Sequence, residues 1–298
     1  MNDPRLNHVQ CLGPAGLHRM AYHEWGDAQN PQVVVCVHGL TRQGRDFDTL
    51  ARALVAAGRR VVCPDVVGRG HSDWLRHPGG YAIPFYVADM VSLLAQLRGA
   101  AQGAGAGELQ VDWVGTSMGG LIGMGLAALE GQPIRRLVLN DVGPAIEHAA
   151  LVRIGQYLGL PVHWASLDEA ADQLWAISSS FGPHTREEWL ALTRPQLRPE
   201  GAGFKPHYDP AIAVPFRAIT PEIAAAGQAQ AWGAYDAVCV PTLLLRGAQS
   251  DLLSRPTAEA MTARGPRARL VEFDGVGHAP TLVHDDQVAV VREFLLAP

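Results

Sequence analysis

The stretch that decides the fold reads Leu109-Gln-Val-Asp-Trp-Val-Gly-Thr-Ser117-Met-Gly-Gly-Leu-Ile-Gly-Met-Gly-Leu-Ala-Ala-Leu129. Residues 109–114 are typical of a buried strand, and residues 119–129 predict a helix with small residues on one face. Between them lies a G-x-S-x-G pattern, which is informative only when a strand precedes it and a helix follows it. Such a tight turn exposes the Ser117 hydroxyl at the carboxyl end of the strand, close to the free N–H groups of the helix.

The composition limits the classes of protein that this chain can belong to. Its 298 residues are 48% hydrophobic and 18% charged, which predicts a globular protein with a large core. The net charge of −5 and the lack of a Lys/Arg run argue against nucleic acid and anionic membrane surfaces as partners. The four cysteines have no C-x-x-C spacing, so we expect neither a disulfide framework nor a metal site. No signal peptide or spanning segment is recognised, so a cytoplasmic location is expected.

The order of strand and helix patterns predicts the architecture. The two patterns alternate from residue 33 to residue 141 and again from residue 241 to residue 296, which predicts an α/β protein with a doubly wound, mostly parallel sheet. From about residue 143 to residue 236 the alternation stops, and helix-like segments are separated by Pro and Gly. We therefore predict a core domain of residues 1–142 and 237–298, and a helical cap insertion of residues 143–236. The insertion should lie over the carboxyl ends of the strands.

A serine hydroxyl needs a base within hydrogen-bond reach, and the base needs a carboxylate that orients it. His278 follows the last predicted strand, in a loop with glycines at 275 and 277. Two aspartates compete for the orienting role, because each follows a strand at the same edge of the sheet. Asp251 is favoured because its loop comes one strand–helix–strand unit before His278, whereas Asp141 leads straight into the insertion.

Five motifs in this order resemble those of the α/β-hydrolase superfamily, over nearly the whole chain. They are His38-Gly39, Asp65-x-x-Gly-x-Gly-x-Ser72, the turn at Ser117, the loop from Gly247 to Asp251, and Gly277-His278. Within the superfamily the chain looks most like the capped, esterase-like members of proteobacteria. The resemblance therefore implies an α/β-hydrolase fold with a helical cap.

The resemblance also implies roles for single residues. Ser117 would be the nucleophile, His278 the general base and then acid, and Asp251 the orienting acid. The backbone N–H groups of Leu40 and Met118 would form the oxyanion hole. His38 is expected to pack behind the oxyanion loop, without transferring protons.

The expected activity is that of a serine esterase, which cleaves a small to medium carboxylic ester through a covalent acyl-enzyme and needs neither cofactor nor metal. A serine in the turn argues against haloalkane dehalogenases and epoxide hydrolases, which have aspartate there. Alternatives on the same fold remain open: carbon–carbon bond hydrolysis of a vinylogous diketone, lactone hydrolysis, and acyl transfer. A ligand receptor without catalysis is a further alternative from another class.

The partner that we expect is a small-molecule ester, and the sequence leaves a homodimer open. Short acyl esters, lactones and hydroxyalkanoate oligomers all remain candidates for the substrate. Aromatic residues of the insertion could line the substrate pocket or form the core of the insertion. The candidates for the pocket are Trp175, Phe181, Tyr208 and Phe216.

Overall fold

The computed structural model describes residues 3–103, 105 and 107–297, which form ten strands and ten α-helices. The strands are β1 (Arg5–Gly13), β2 (Gly16–Trp25), β3 (Gln32–Val37), β4 (Arg60–Pro64), β5 (Gln110–Thr116), β6 (Ile134–Asn140), β7 (Leu197–Glu200), β8 (Gly203–Pro206), β9 (Thr242–Gly247) and β10 (Arg269–Phe273). The helices are α1 (Asp48–Ala56), α2 (Ile83–Gly103), α3 (Met118–Ala127), α4 (His148–Tyr157), α5 (Leu167–Ser178), α6 (Arg186–Thr193), α7 (Ala213–Arg217), α8 (Pro221–Ala237), α9 (Arg255–Ala263) and α10 (Asp285–Leu296).

Eight strands form one sheet in the order β1-β2-β4-β3-β5-β6-β9-β10. The pairs from β4 through β10 are parallel, and β2 is antiparallel to both β1 and β4. The carboxyl ends of the six parallel strands therefore lie at one edge of the sheet, which is where such folds bind ligands. The predicted fold class, a doubly wound and mostly parallel sheet, is confirmed.

The continuous apolar runs arise because the sheet is covered on both faces. In β3, Val33, Val35 and Val37 belong to one buried cluster, which includes residues of α2 and α3. Val34 and Cys36 point to the other face, into a cluster with residues of α1 and α10. A strand that is buried on both faces cannot alternate between apolar and polar residues, so it appears in the sequence as an unbroken hydrophobic run.

Residues 143–236, the predicted insertion, follow β6 and end as α8 leads to β9. They contain α4–α7 and most of α8, and they also contain the short antiparallel pair β7 and β8. The sequence analysis does not predict this pair, because strands of four residues are too short to show a periodic pattern. None of the described helices is both long and apolar enough to cross a membrane.

Candidate active site

Ser117 occupies a strained turn between β5 and α3. Its backbone angles are φ 52° and ψ −117°, outside the regions that non-glycine residues ordinarily adopt. The glycines on either side permit this turn: a Cβ at Gly115 would collide with the backbone of Gly119, and a Cβ at Gly119 would collide with the backbone of Val37. The G-x-S-x-G spacing is thus a steric requirement, and the strain holds the hydroxyl at the sheet edge.

His278 lies between Ser117 and a carboxylate. Its Nε2 is 3.0 Å from Ser117 Oγ, and its Nδ1 is 2.7 Å from Asp141 Oδ2. An ionised carboxylate can only accept hydrogen bonds, so Nδ1–H is the donor to Asp141. In the neutral ring Nε2 then carries the lone pair, which can accept the hydrogen of the Ser117 hydroxyl.

Asp141 is held in place by the backbone and by a second side chain. It is fully buried and has a positive φ of 55°. Its Oδ1 accepts a hydrogen bond from Gly247 N at 2.8 Å, and its Oδ2 accepts one from Ser250 Oγ at 2.6 Å, in addition to the bond from His278. Three donors therefore stabilise the negative charge of this carboxylate in a site without access to solvent.

The expectation that Asp251 lies against His278 is wrong. Asp251 is about half exposed, and it pairs with Arg153 of α4 at 2.8 Å. The loop after β9 does reach the site, but it contributes Ser250 and not Asp251. The reason is the strand order: β6 lies between β5 and β9, so the residue that ends β6 is next to the Ser117 turn.

The loop that carries His278 is fixed from two sides. Asn140, the last residue of β6, donates from Nδ2 to Pro280 O at 2.8 Å and to Thr116 Oγ1 at 3.0 Å. From the insertion, Ser180 accepts from Gly277 N at 2.5 Å, and its Oγ donates to His278 O at 3.2 Å. The insertion is therefore in direct contact with the loop that presents His278.

The loop after β3 lies against Ser117. A Cβ built on Gly39 would be 3.6 Å from Ser117 Cβ. His38 accepts from Val66 N through Nε2 at 2.9 Å, so its Nδ1–H donates to Gly39 O at 2.7 Å. Burial lowers the pKa of His38 to about 4, and the ring is neutral at pH 7. His38 thus packs behind this loop and shapes it.

The four aromatic residues predicted as candidates for the pocket fall into two groups. Trp175 and Phe181 contact the buried Trp189, with ring centroids 5.0 Å and 6.3 Å apart, and they belong to a small cluster of the insertion. Tyr208 and Phe216 are partly buried against the main core. That any of the four touches a substrate stays a prediction.

One group of potential metal ligands occurs among the described residues, away from Ser117. Cys11, His18 and Asp89 are buried, and their ligand atoms lie within 4.8 Å of one another. His18 Nε2 already contacts both Asp89 oxygens, at 2.9 and 3.0 Å, and burial raises the pKa of the Cys11 thiol to about 12. Within the described residues, His18 and Asp89 thus form a buried His–Asp pair that joins β2 to α2.

Sequence reasoning missed two residues near the site. Ser250 lies within the recognised Gly247–Asp251 loop, but no spacing rule distinguishes it from its neighbours. Arg69 is the variable residue between the two glycines of the motif after β4, and it contacts both Leu40 and Met118. Only its position inside the motif could have drawn attention to it.

Known proteins resemble this chain over nearly its whole length. The family model for serine aminopeptidase, S33, matches residues 28–285. A 3-hydroxybutyrate-oligomer hydrolase of Cupriavidus necator is 54% identical over 98% of both chains. A pimeloyl-[acyl-carrier protein] methyl ester esterase of Xanthomonas campestris is 28% identical over 89% of this chain and 95% of that protein.

Among solved structures, an α/β hydrolase from Novosphingobium aromaticivorans superimposes with a TM-score of 0.83. It is 33% identical in sequence, and the match covers 99% of each chain. The predicted resemblance to the α/β-hydrolase superfamily is therefore confirmed. By the extent of these matches the chain belongs to the serine aminopeptidase, S33 family of α/β-hydrolases, and it is an ester-cleaving enzyme.

Proposed function

We propose that this enzyme hydrolyses short linear oligomers of 3-hydroxybutyrate, through an acyl-enzyme formed on Ser117. The observation that carries the mechanism is the continuous chain of contacts from Ser117 Oγ through His278 to Asp141. The substrate class rests on the 54% identical hydrolase from Cupriavidus necator, which matches this chain from end to end. Hydroxyalkanoate oligomers are also among the ester substrates that the sequence leaves open.

In this proposal Asp141 is the orienting acid, in place of Asp251. The 2.7 Å contact supports the role, since a carboxylate there keeps hydrogen on Nδ1 and leaves Nε2 free to accept the Ser117 proton. It would also stabilise the imidazolium that forms when the proton arrives. The hydrogen bonds from Gly247 and Ser250 support a fixed orientation of Asp141.

Backbone N–H groups of Leu40 and Met118 are the proposed oxyanion hole. Met118 is the first residue of α3, so its N–H has no acceptor within the helix. Gly39 O accepts from His38 Nδ1 at 2.7 Å and from Arg42 N at 3.2 Å. Since C=O and N–H point in opposite directions in a trans peptide, these bonds direct the Leu40 N–H away from His38 and Arg42.

The proposed reaction proceeds in two halves. Ser117 Oγ attacks the ester carbonyl carbon while His278 Nε2 takes the hydroxyl proton, and the carbonyl oxygen becomes an oxyanion. When the tetrahedral intermediate collapses, the ester C–O bond breaks and His278 gives its proton to the departing alkoxide oxygen of the next 3-hydroxybutyrate unit, which leaves as a hydroxyl group. Water then attacks the acyl-enzyme with His278 as base, which releases the carboxylic acid and restores Ser117.

We also propose that residues 143–236 act as a cap that selects substrates. The contacts of Ser180 with the His278 loop support this, because they link the insertion to the site. Changes in the insertion should then alter the relative rates of different esters more than the acyl transfer itself.

The test uses purified enzyme with 3-hydroxybutyrate dimer and trimer, and with p-nitrophenyl butyrate as a generic ester. We expect chromatography to show monomer release from both oligomers. A fluorophosphonate probe should label Ser117, as located by mass spectrometry, and Ser117→Ala should lose both labelling and about 10^4-fold or more of the activity.

Three further outcomes are distinguished, one of them by adding a vinylogous diketone to the substrates. Turnover of p-nitrophenyl butyrate without oligomer cleavage would reject the oligomer substrate and leave the serine esterase. Faster cleavage of a vinylogous diketone than of any ester would favour the carbon–carbon hydrolase. A labelled residue other than Ser117 would reject the mechanism itself.

A further inference from the structure

Arg69 is a fully buried cation. No carboxylate among the residues that the structure describes forms an ion pair with it. The equally inaccessible Arg60 has Glu24 at 2.6 Å. A guanidinium cannot lose its proton in a protein, so a buried and unpaired one needs another source of stabilisation.

Neutral groups supply part of that stabilisation. Arg69 Nη1 donates to Val67 O at 2.7 Å and to Tyr86 Oη at 3.0 Å. Its guanidinium carbon lies 5.1 Å from the centre of the Tyr86 ring and 5.8 Å from that of Tyr81. The Tyr81 hydroxyl donates to Asp209 at 2.5 Å, so Tyr81 lies between the guanidinium and this carboxylate. The positive charge is therefore solvated by carbonyls and rings, and it is not neutralised by direct contact.

The remaining two contacts lead to the proposed oxyanion hole. Arg69 Nε donates to Leu40 O at 2.8 Å, and Nη2 lies 3.4 Å from Met118 Sδ. Leu40 and Met118 are the two residues whose N–H groups would bind the oxyanion. One rigid guanidinium thus contacts both residues, through the Leu40 carbonyl and the Met118 thioether. Thioether sulfur is only a weak acceptor for the charged Nη2.

We propose that Arg69 is a positioning residue of the oxyanion hole whose charge is balanced by the oxyanion of the tetrahedral intermediate. The inference rests on the proposed function, since it needs an oxyanion between Leu40 and Met118. A fixed and buried charge interacts more strongly with a negative charge that develops nearby than a solvated one does, and it costs no reorganisation when that charge appears. Because the ground-state ester is neutral, this interaction stabilises the transition state more than the bound substrate.

The experiment compares Arg69→Lys with Arg69→Gln on p-nitrophenyl butyrate. Both substitutions lose the fork between Leu40 and Met118, but only lysine keeps the charge. We expect Arg69→Gln to lower kcat on the order of 10²-fold with KM changed by less than about threefold. Arg69→Lys should stay within about tenfold of the wild-type kcat. An alkyl boronic acid, which forms a tetrahedral anion on the serine, should lose affinity for Arg69→Gln in proportion to kcat/KM.

Arg60→Met is the matched control. Arg60 is also buried, but it begins β4 at the opposite end from the loop that carries Arg69. This variant removes the buried cation from Glu24 and leaves it Asn7 at 2.7 Å and the half-exposed Arg5 at 3.5 Å. It should therefore unfold at a lower temperature while the kcat of the folded enzyme is unchanged. Thermal unfolding of all variants separates loss of structure from loss of catalysis. If Arg69→Gln does not fold, Arg69→Met takes its place as the neutral variant.

The outcomes distinguish the two proposals. Equal kcat values for folded Arg69→Lys and the folded neutral variant would overturn the role of the charge. A neutral variant in which KM rises while kcat stays at the wild-type value would overturn it as well. If a fluorophosphonate labels wild-type enzyme at Ser117 and the Arg69 variants are as active as wild type, the role of Arg69 is rejected and the serine mechanism stands. Wild-type enzyme that is not labelled at Ser117 would reject the serine mechanism, and the role of Arg69 with it.

Discussion

The loops after β6 and β9 look alike in sequence and differ in the structure. Each follows a buried parallel strand, and each contains an aspartate that could orient His278. Asp141 is fully buried and contacts His278 Nδ1 at 2.7 Å, whereas the side chain of Asp251 is 47% exposed and pairs with Arg153. The comparison shows that a carboxylate can lie at the edge of the sheet that carries Ser117 and still not contact His278.

Two structural facts explain the difference. Asp141 comes directly after β6, the strand next to β5, so it begins beside the Ser117 turn. After β9 the chain makes a turn in which Ser250 N donates to Gly247 O at 2.8 Å. Ser250 then faces Asp141, and the next residue, Asp251, faces α4.

The largest effect is expected from Asp141→Asn. The amide offers donors where His278 requires an acceptor, so the ring loses the tautomer that leaves Nε2 free. We expect kcat/KM for p-nitrophenyl butyrate to fall on the order of 10^4-fold. Thermal unfolding should be measured on the same sample, to show that the fold persists. A variant with more than about a tenth of the wild-type activity would remove Asp141 from the mechanism.

The sequence was sufficient for the fold and for part of the site. The unbroken apolar runs, such as Val33–Val37, predicted the parallel strands because burial on both faces leaves no other pattern. The turn at Ser117 was predicted because its glycines are required sterically. The carboxylate that contacts His278 was not predicted, because the choice between Asp141 and Asp251 depends on the order of strands in the sheet. Spacing along the chain does not record that order.

A second His–Asp pair lies outside the candidate active site. It allows the contribution of such a pair to the stability of the fold to be measured separately from any effect on catalysis. His18 and Asp89 are buried, and the hydrogen bond to Asp89 raises the pKa of His18. A raised pKa means that the folded state binds the proton more tightly. The pair therefore contributes its full stabilisation of the folded state at pH values below the pKa of the unfolded imidazole, about 6.5. This stabilisation is lost as the pH rises through the pKa of His18 in the folded state.

Asp89→Asn should accordingly reduce the free energy of unfolding by about 2 kcal/mol at pH 5 and by less at pH 8. Urea unfolding at both pH values measures the two differences. The kcat of the folded variant should equal that of wild type, because neither residue contacts Ser117 or His278. A destabilisation that grows between pH 5 and pH 8 would mean that the pair does not hold a proton at low pH.

A smaller effect is expected from Ser250→Ala. Asp141 Oδ2 would keep the bond to His278 and lose the one from Ser250 Oγ at 2.6 Å. The loss of one hydrogen bond to a charged group is worth about 1.5 kcal/mol, which corresponds to roughly tenfold in kcat/KM. Ser250→Thr keeps a hydroxyl and should recover most of this loss. Equal activity of Ser250→Ala and wild type would show that Gly247 N alone orients Asp141.

The smallest effect is expected from Asp251→Asn, although the sequence favours Asp251 as the acid. Its ion pair with Arg153 is solvent-exposed on both sides, with exposures of 36% and 47%, so screening by water leaves it a contribution of about 0.2–1 kcal/mol. We expect kcat/KM to change by less than about threefold and the stability to change within that range. Urea unfolding in low and in 1 M salt would check the second point, since the difference from wild type should shrink as salt screens the pair. If instead Asp251→Asn were inactive and Asp141→Asn active, the loop after β9 would have to rearrange during catalysis, and the contacts of Asp141 would describe only the resting enzyme.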